Sequence, residues 1–151
     1  MTTTRFPTGQ LQAMKLWTTG TFKWGLWESD WTPNESTQIH VADITGTEYP
    51  GASGYTRQTV TTPTVTVTLP ATPGTVGLIS YLADDPGFGV LTGTVSAAWL
   101  VLYEFVTSDA DSPLIAAYQV AFTADSVTAA TFPLPETYGA LSVATTYFSA
   151  F

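Results

Sequence analysis

One histidine, four cationic and twelve carboxylate side chains supply the charged chemistry of 151 residues, and there is no cysteine. His40, in Gln38-Ile39-His40-Val41, could serve a nucleophile triad, but no Gly-x-Ser-x-Gly elbow or comparable nucleophile context accompanies it. It reads as a histidine on a polar face or a strand edge. Glu28 and Asp30 follow Trp27, and two carboxylates beside aromatic rings could hydrolyse a glycoside. Such enzymes draw the pair from separate elements across a cleft, so neighbours in one loop read as a solvated turn. Asp84-Asp85 and Asp109-x-Asp111-Ser112 lack the twelve-residue loop, glycine and distal glutamate of a calcium site. They read as turn formers, with a weak cation site at Asp109 and Asp111 as the residual alternative. Gly87-Phe88-Gly89 has no lysine to cradle a phosphate, and the Asn34-Glu35-Ser36 sequon follows no secretory signal. No catalytic residue, metal or cofactor is expected, and the chain is not expected to be an enzyme.

Composition narrows the partners. Charged residues are 11% of the chain against about 25% in an ordinary soluble domain. Threonine, with 29 residues, supplies much of the water-tolerant surface instead. With Arg5, Lys15, Lys23 and Arg57 as the only cations and a net charge of -8, binding to nucleic acid or to anionic membrane is not expected. No apolar run approaches the ~20 residues of a membrane span, and residues 1–10 lack the pattern of a signal peptide, so a soluble protein made in the cytosol is expected.

The elements that must position these residues are strands. Near-helical spacing of Leu11, Met14 and Trp17 predicts one short helix over 10–17. Thereafter ten prolines and twelve glycines punctuate apolar runs at intervals typical of an all-β domain. Strands are expected at 21–27, 38–42, 64–69, 76–82, 94–105, 114–122, 126–132 and 141–145, with a flexible loop at 49–54. In 64–69 the alternation should turn Val65, Val67 and Leu69 inward, and Pro63 and Pro70 bound the strand. The length of 94–105 makes it a central strand, joined by a polar turn at 107–113 to the next. The expected fold is a single domain over 1–151, all-β, a β-sandwich or jelly-roll-like barrel with a short N-terminal helix.

Four of five tryptophans, Trp17, Trp24, Trp27 and Trp31, crowd into fifteen positions. On a strand, Trp24 and Trp27 project from opposite faces, so one needs cover beyond a single core. Either another part of the chain supplies that cover or a partner does, tryptophan being enriched among binding anchors. Residues 1–9, carrying Phe6, and 147–151, carrying Phe148 and Phe151, read as an N-terminal arm and a C-terminal tail that close the sheet or reach a neighbouring subunit.

Phe22-Lys23-Trp24-Gly25-Leu26-Trp27, Trp31-Thr32-Pro33-Asn34, Val41-Ala42-Asp43-Ile44 and Gly54-Tyr55 follow one another in an order that resembles a family of small virion proteins of tailed bacteriophages, with its "K-V-A-L-Y" strand, "W-T-P-N/D" turn and "G-Y" loop. Ala97-Ala98-Trp99-Leu100-Val101-Leu102-Tyr103-Glu104 and Ser112-Pro113-Leu114-Ile115-Ala116 are similar to its "R-Y-A-V-V-Y-D" and "S-P-L-L-G-Y" segments. The likeness spans about 20–143, departing at Thr56-Arg57 and in the loose match of Asp84-Asp85-Pro86-Gly87-Phe88. It implies a structural part of the virion: a capsid decoration or cement protein on the major capsid protein, as a homotrimer, or a minor tail or fibre-associated protein that binds tail proteins or host glycans. The interface candidates are Phe6, Trp27, Trp31, Tyr55, Phe148 and Phe151.

Overall fold

The protein is described by a computed structural model covering residues 3–68, 76–133 and 139–144. Pro7 decides where its helix begins. The ring fixes φ near the helical value and the missing N–H falls where a helix has no acceptor for one, so α1 runs Pro7–Leu16, starting before the 10–17 expected. It ends where the amides of Thr19 and Gly20 donate to the Leu16 carbonyl, at 2.9 and 2.6 Å.

Ten strands occur among the described residues, against about eight expected: β1 Thr3–Arg5, β2 Phe22–Trp27, β3 Gln58–Thr59, β4 Thr64–Thr68, β5 Val76–Leu82, β6 Gly87–Val90, β7 Ser96–Glu104, β8 Leu114–Thr123, β9 Ala129–Thr131 and β10 Gly139–Ala144. They pair antiparallel throughout, in a five-stranded sheet β1-β8-β7-β2-β3, a three-stranded sheet β10-β5-β4 and a two-stranded ribbon β6-β9. The all-β class is thus as read from the sequence. β7 is the central strand, with Trp27 opposite Trp99 and Leu26 opposite Leu100 on one side, and β8 returning through the 107–113 turn on the other.

Of the two roles read for residues 1–9, their described part closes the chain's own sheet: β1 adds an edge strand to β8, and the buried Phe6 donates its amide to the Ile115 carbonyl at 3.0 Å. Two local readings change. The strand expected at 38–42 is a single bridge, His40 to Pro113, followed by a 3-10 turn at Val41–Asp43. The Asp43 carboxylate accepts the Ile39 and His40 amides, both at 2.8 Å, and bends the chain out of the strand. The loop at 49–54 is tied down: Tyr49 is buried and donates to the Val95 carbonyl at 3.0 Å, and a 3-10 turn at Gly51–Ser53 closes on Gly54, whose φ of +86° favours glycine. The expected C-terminal tail, 147–151, lies outside the described residues.

Strand alternation splits the buried side chains of the five-stranded sheet into two cores. On one face Phe22, Trp24, Leu26, Leu100, Leu102 and Tyr118 pack beneath Ala13 and Trp17 of α1 and beneath Tyr49, Tyr55, Phe88 and Phe132. Aromatic contacts run Tyr49, Tyr55, Phe88, Phe132, Phe122 with centroid spacings of 5.7, 5.6, 5.9 and 5.7 Å, within the range of favourable ring pairs. On the other face Trp27, Val101, Tyr103, Leu114 and Ala117 pack with Phe6, Trp31 and Val41.

Candidate functional site

The second core answers where the tryptophans go. Trp27 is 3% and Trp31 2% exposed, because the loop between β2 and β3 folds back over the sheet and supplies Trp31, Val41 and Ile44 as its cover. Its two ends are fastened together. The Glu28 amide donates to the Thr47 carbonyl at 2.9 Å, Trp27 bridges Glu48, and the Asp30 carboxylate accepts the Thr47 amide and, at 2.6 Å, its hydroxyl. Those bonds, the Thr47 hydroxyl first, hold the Asp30 carboxyl below its ordinary pKa. Trp31 stands against Trp27 at 6.3 Å and edge-on to Trp99 at 5.9 Å, and the Trp99 indole donates to the Trp31 carbonyl at 2.9 Å. The chain itself therefore covers Trp27 and Trp31, which are core side chains, and Phe6 and Tyr55 are equally buried. None of these four interface candidates is available at the surface. Phe148 and Phe151 lie outside the described residues.

Beside this core sits a constellation of opposite charges that the fold assembles from distant positions, the one of its kind among the described residues. Arg57 has five N–H donors and all five are used. Nε and Nη2 donate to the two oxygens of Glu48 at 2.6 and 2.8 Å, Nη1 and Nη2 donate to the two oxygens of Asp109, the latter at 2.8 Å, and Nη1 also reaches the Tyr103 hydroxyl at 3.3 Å. The guanidinium lies 5.6 Å from the Trp27 ring and 5.4 Å from the Tyr103 ring. Tyr55 extends the network, donating to Glu48 Oε1 at 2.9 Å and accepting the Leu26 amide at 3.0 Å. Gly25 makes this possible: a Cβ there would sit 2.6 Å from the Trp27 ring and 3.1 Å from the Tyr55 hydroxyl. Lys23, on the same face of β2, places its ammonium 3.8 Å from the centre of the Phe105 ring.

Burial opposes the charge of Arg57, but its bonds to Asp109 and Glu48 outweigh that and raise its pKa further. Asp109 is held below the ordinary carboxylate value by Arg57, while burial pushes the Tyr103 hydroxyl up to about 12. With every donor taken, the guanidinium has none to offer a substrate anion; it is a clamp joining the ends of two loops to the sheet.

His40, Asp43 and Asp111 are engaged in local turns. The His40 side chain accepts the Asp43 amide while Asp43 returns the contact to the His40 amide, so the pair caps a turn. Asp111 accepts the hydroxyls of Thr107 and Ser108 at 2.6 and 2.8 Å. A cation at Asp109 and Asp111 would have to displace Arg57 from Asp109. Among the described residues no three histidine, aspartate or glutamate side chains gather as metal ligands do. Sequence reasoning missed Arg57 because its partners lie 9 and 52 positions away. The available signal was the scarcity of cations: an arginine among few cations, near aromatic strands, has carboxylates to satisfy.

Compared with known proteins, the chain matches no family, no curated protein and no solved structure.

Proposed function

We propose that the chain is a non-enzymatic structural protein of a tailed-bacteriophage virion, a decoration protein seated on the outer face of the major capsid lattice. The observation that carries this reading is the use to which the fold puts its charges. Arg57, Glu48 and Asp109 clamp loops against the sheet, Asp30 fastens the two ends of one loop, and Asp43 caps a turn. What faces water includes stretches of threonine and valine such as Thr64-Val65-Thr66 and Val127-Thr128. Such a surface associates by packing and backbone pairing rather than by chemistry on a substrate, which is what a passive shell component needs. The order of motifs over 20–143 supports the same assignment. In this reading the antiparallel sheets belong to a β-sandwich or jelly-roll-like domain, and copies bridging neighbouring capsid subunits oppose the pressure of packaged DNA by binding the closed lattice in preference to the open one.

A tail or fibre location remains the second reading through the same resemblance. Its glycan-binding form depended on Trp27 and Trp31 being open to a sugar, and both are buried. The test is the copy number of the chain in purified virions, measured by mass spectrometry against the major capsid protein. Hundreds of copies in fixed ratio to that protein are expected. A handful would place the chain in the tail or at a vertex, and its absence from the particle would overturn the proposal.

A further inference from the structure

Among the described residues, β4 has β5 on one side and no strand on the other. Thr64, Val65 and Thr66 are all exposed, so the first half of this strand is open on both faces, its edge is unpaired among the described residues, and Val65, expected inside, is 41% exposed. The side chain of Val67 and the whole of Leu69 lie outside the described residues. Folds usually protect such an edge with lysine, an inward-pointing charge or a bulge. β4 has none of these: its sequence is Thr-Val-Thr-Val-Thr, and residues 58–83 contain no charged side chain at all.

We propose that β4 is a self-association edge, pairing antiparallel with β4 of a second copy across a two-fold axis at Thr66. Two features of the strand select a second copy over another protein. A two-fold axis normal to a sheet preserves its faces, so one residue must sit opposite its own equivalent. With Thr66 there, Thr64 meets Thr68 and Val65 meets Val67, and the palindromic sequence matches threonine to threonine and valine to valine along its whole length. Both are favourable cross-strand pairings. The second feature is charge. Two copies of net charge -8 repel, and they approach at least cost through the uncharged 58–83 stretch. The result is one continuous six-stranded sheet, β10-β5-β4 followed by the same three strands of the partner in reverse. This is a two-fold pair, not the three-fold assembly expected from the sequence resemblance, and it stands whether or not the chain belongs to a virion. A five-residue edge is a small contact, so the pair is weak in solution and strengthens where copies are held side by side.

The chain has no cysteine, so a single introduced thiol reports register directly. In the full-length protein, Thr66→Cys places two thiols opposite each other, with Cα atoms ~5 Å apart, inside disulfide range. Thr64→Cys places its thiol about 14 Å from the same residue of the partner, four residues out of step along the paired strands. Under mild oxidation Thr66→Cys is expected to form a covalent dimer at least tenfold faster than Thr64→Cys. Sedimentation of the unmodified protein at about 200 µM, a concentration suited to so small an interface, should show a concentration-dependent species of twice 16.1 kDa. Thr66→Lys, which sets two ammonium groups face to face, should abolish it with the circular dichroism spectrum unchanged. A protein that stays at 16.1 kDa, a trimer, a dimer that survives Thr66→Lys, or equal cross-linking at 64 and 66 would each overturn the proposal. None of these outcomes bears on the copy number in virions, so the two readings fail separately.

Discussion

Arg57 binds two carboxylates and a hydroxyl through all five of its donors, so the consequence of replacing it can be followed group by group. Arg57→Leu keeps an apolar stem against Trp27 and Tyr103 but leaves Glu48 and Asp109 facing each other, partly buried, with no cation between them. Exposure of the three side chains, from 22% to 43%, lets water take over part of the lost bonding. A loss of about 1–3 kcal/mol is expected in urea denaturation, less than for a fully buried pair. Arg57→Lys should recover only part of this, because a single ammonium with three donors cannot serve two carboxylates as a planar fork does. Equal stability of all three proteins would show that the network holds nothing. The same position marks the limit of what could be read beforehand. The strand spacing of Trp24 and Trp27 showed that one sheet face needed cover, whereas the choice between chain and partner rested on where the loop after β2 goes, and that is settled by bonds such as Asp30 to Thr47, 17 residues apart.

Elements meet here through glycines as much as through large side chains. Gly9, in the first turn of α1, lies so close to the start of β8 that a Cβ would run into the Leu114 carbonyl. The obstacle is backbone, which cannot rotate aside as the far end of a side chain can. Gly9→Ala must therefore push the helix off the sheet, uncovering Trp17 and Ala13, and a loss of about 3 kcal/mol or more in urea denaturation is expected. Gly51→Ala, where an added Cβ meets nothing within 4 Å, serves as the control and should stay within about 0.5 kcal/mol of the parent protein. If Gly9→Ala proved as mild as Gly51→Ala, α1 would not be docked as described. Strands that were long and apolar, such as β2, β7 and β8, were legible because burial on a sheet imposes a pattern over many residues. The two- and three-residue strands β1 and β3 carry too few positions for any period to show. At β4 the period was legible but its meaning was not: alternation of threonine and valine identifies a strand, yet an exposed Val65 shows that period alone does not say which face is covered.

At the scale of the whole molecule, acid sets two effects of opposite sign against each other. A net charge of -8 means that protonating carboxylates relieves self-repulsion, which favours the folded state as pH falls. Against this, Asp30, Asp43, Asp109, Asp111 and Asp125 are all held below the ordinary carboxylate pKa by the hydrogen bonds they accept, and Asp125, bonded to the amides of Thr128 and Val127, is lowered to about 2. Where the folded pKa lies below the unfolded one, the unfolded chain takes up protons first, and stability rises with pH across the interval between them. The contribution of these groups is thus complete well above their unfolded value of 3.8 and is lost as pH falls through their lower folded values, about 2 for Asp125. Repulsion among surface charges is spread out and screened beyond roughly 8 Å in physiological salt, whereas the five bonded carboxylates act locally and in one direction, so the bonds should win. The expected result is a melting temperature that is level from about pH 8 to pH 5 and falls steeply below about pH 4. Asp125→Asn should make that fall shallower, because one of the groups that drives it no longer titrates. A melting temperature that instead climbed on acidification below pH 4 would mean that the charge of the whole outweighs the bonds of its parts, and would set the protein's acid behaviour by composition rather than by the turns its aspartates hold.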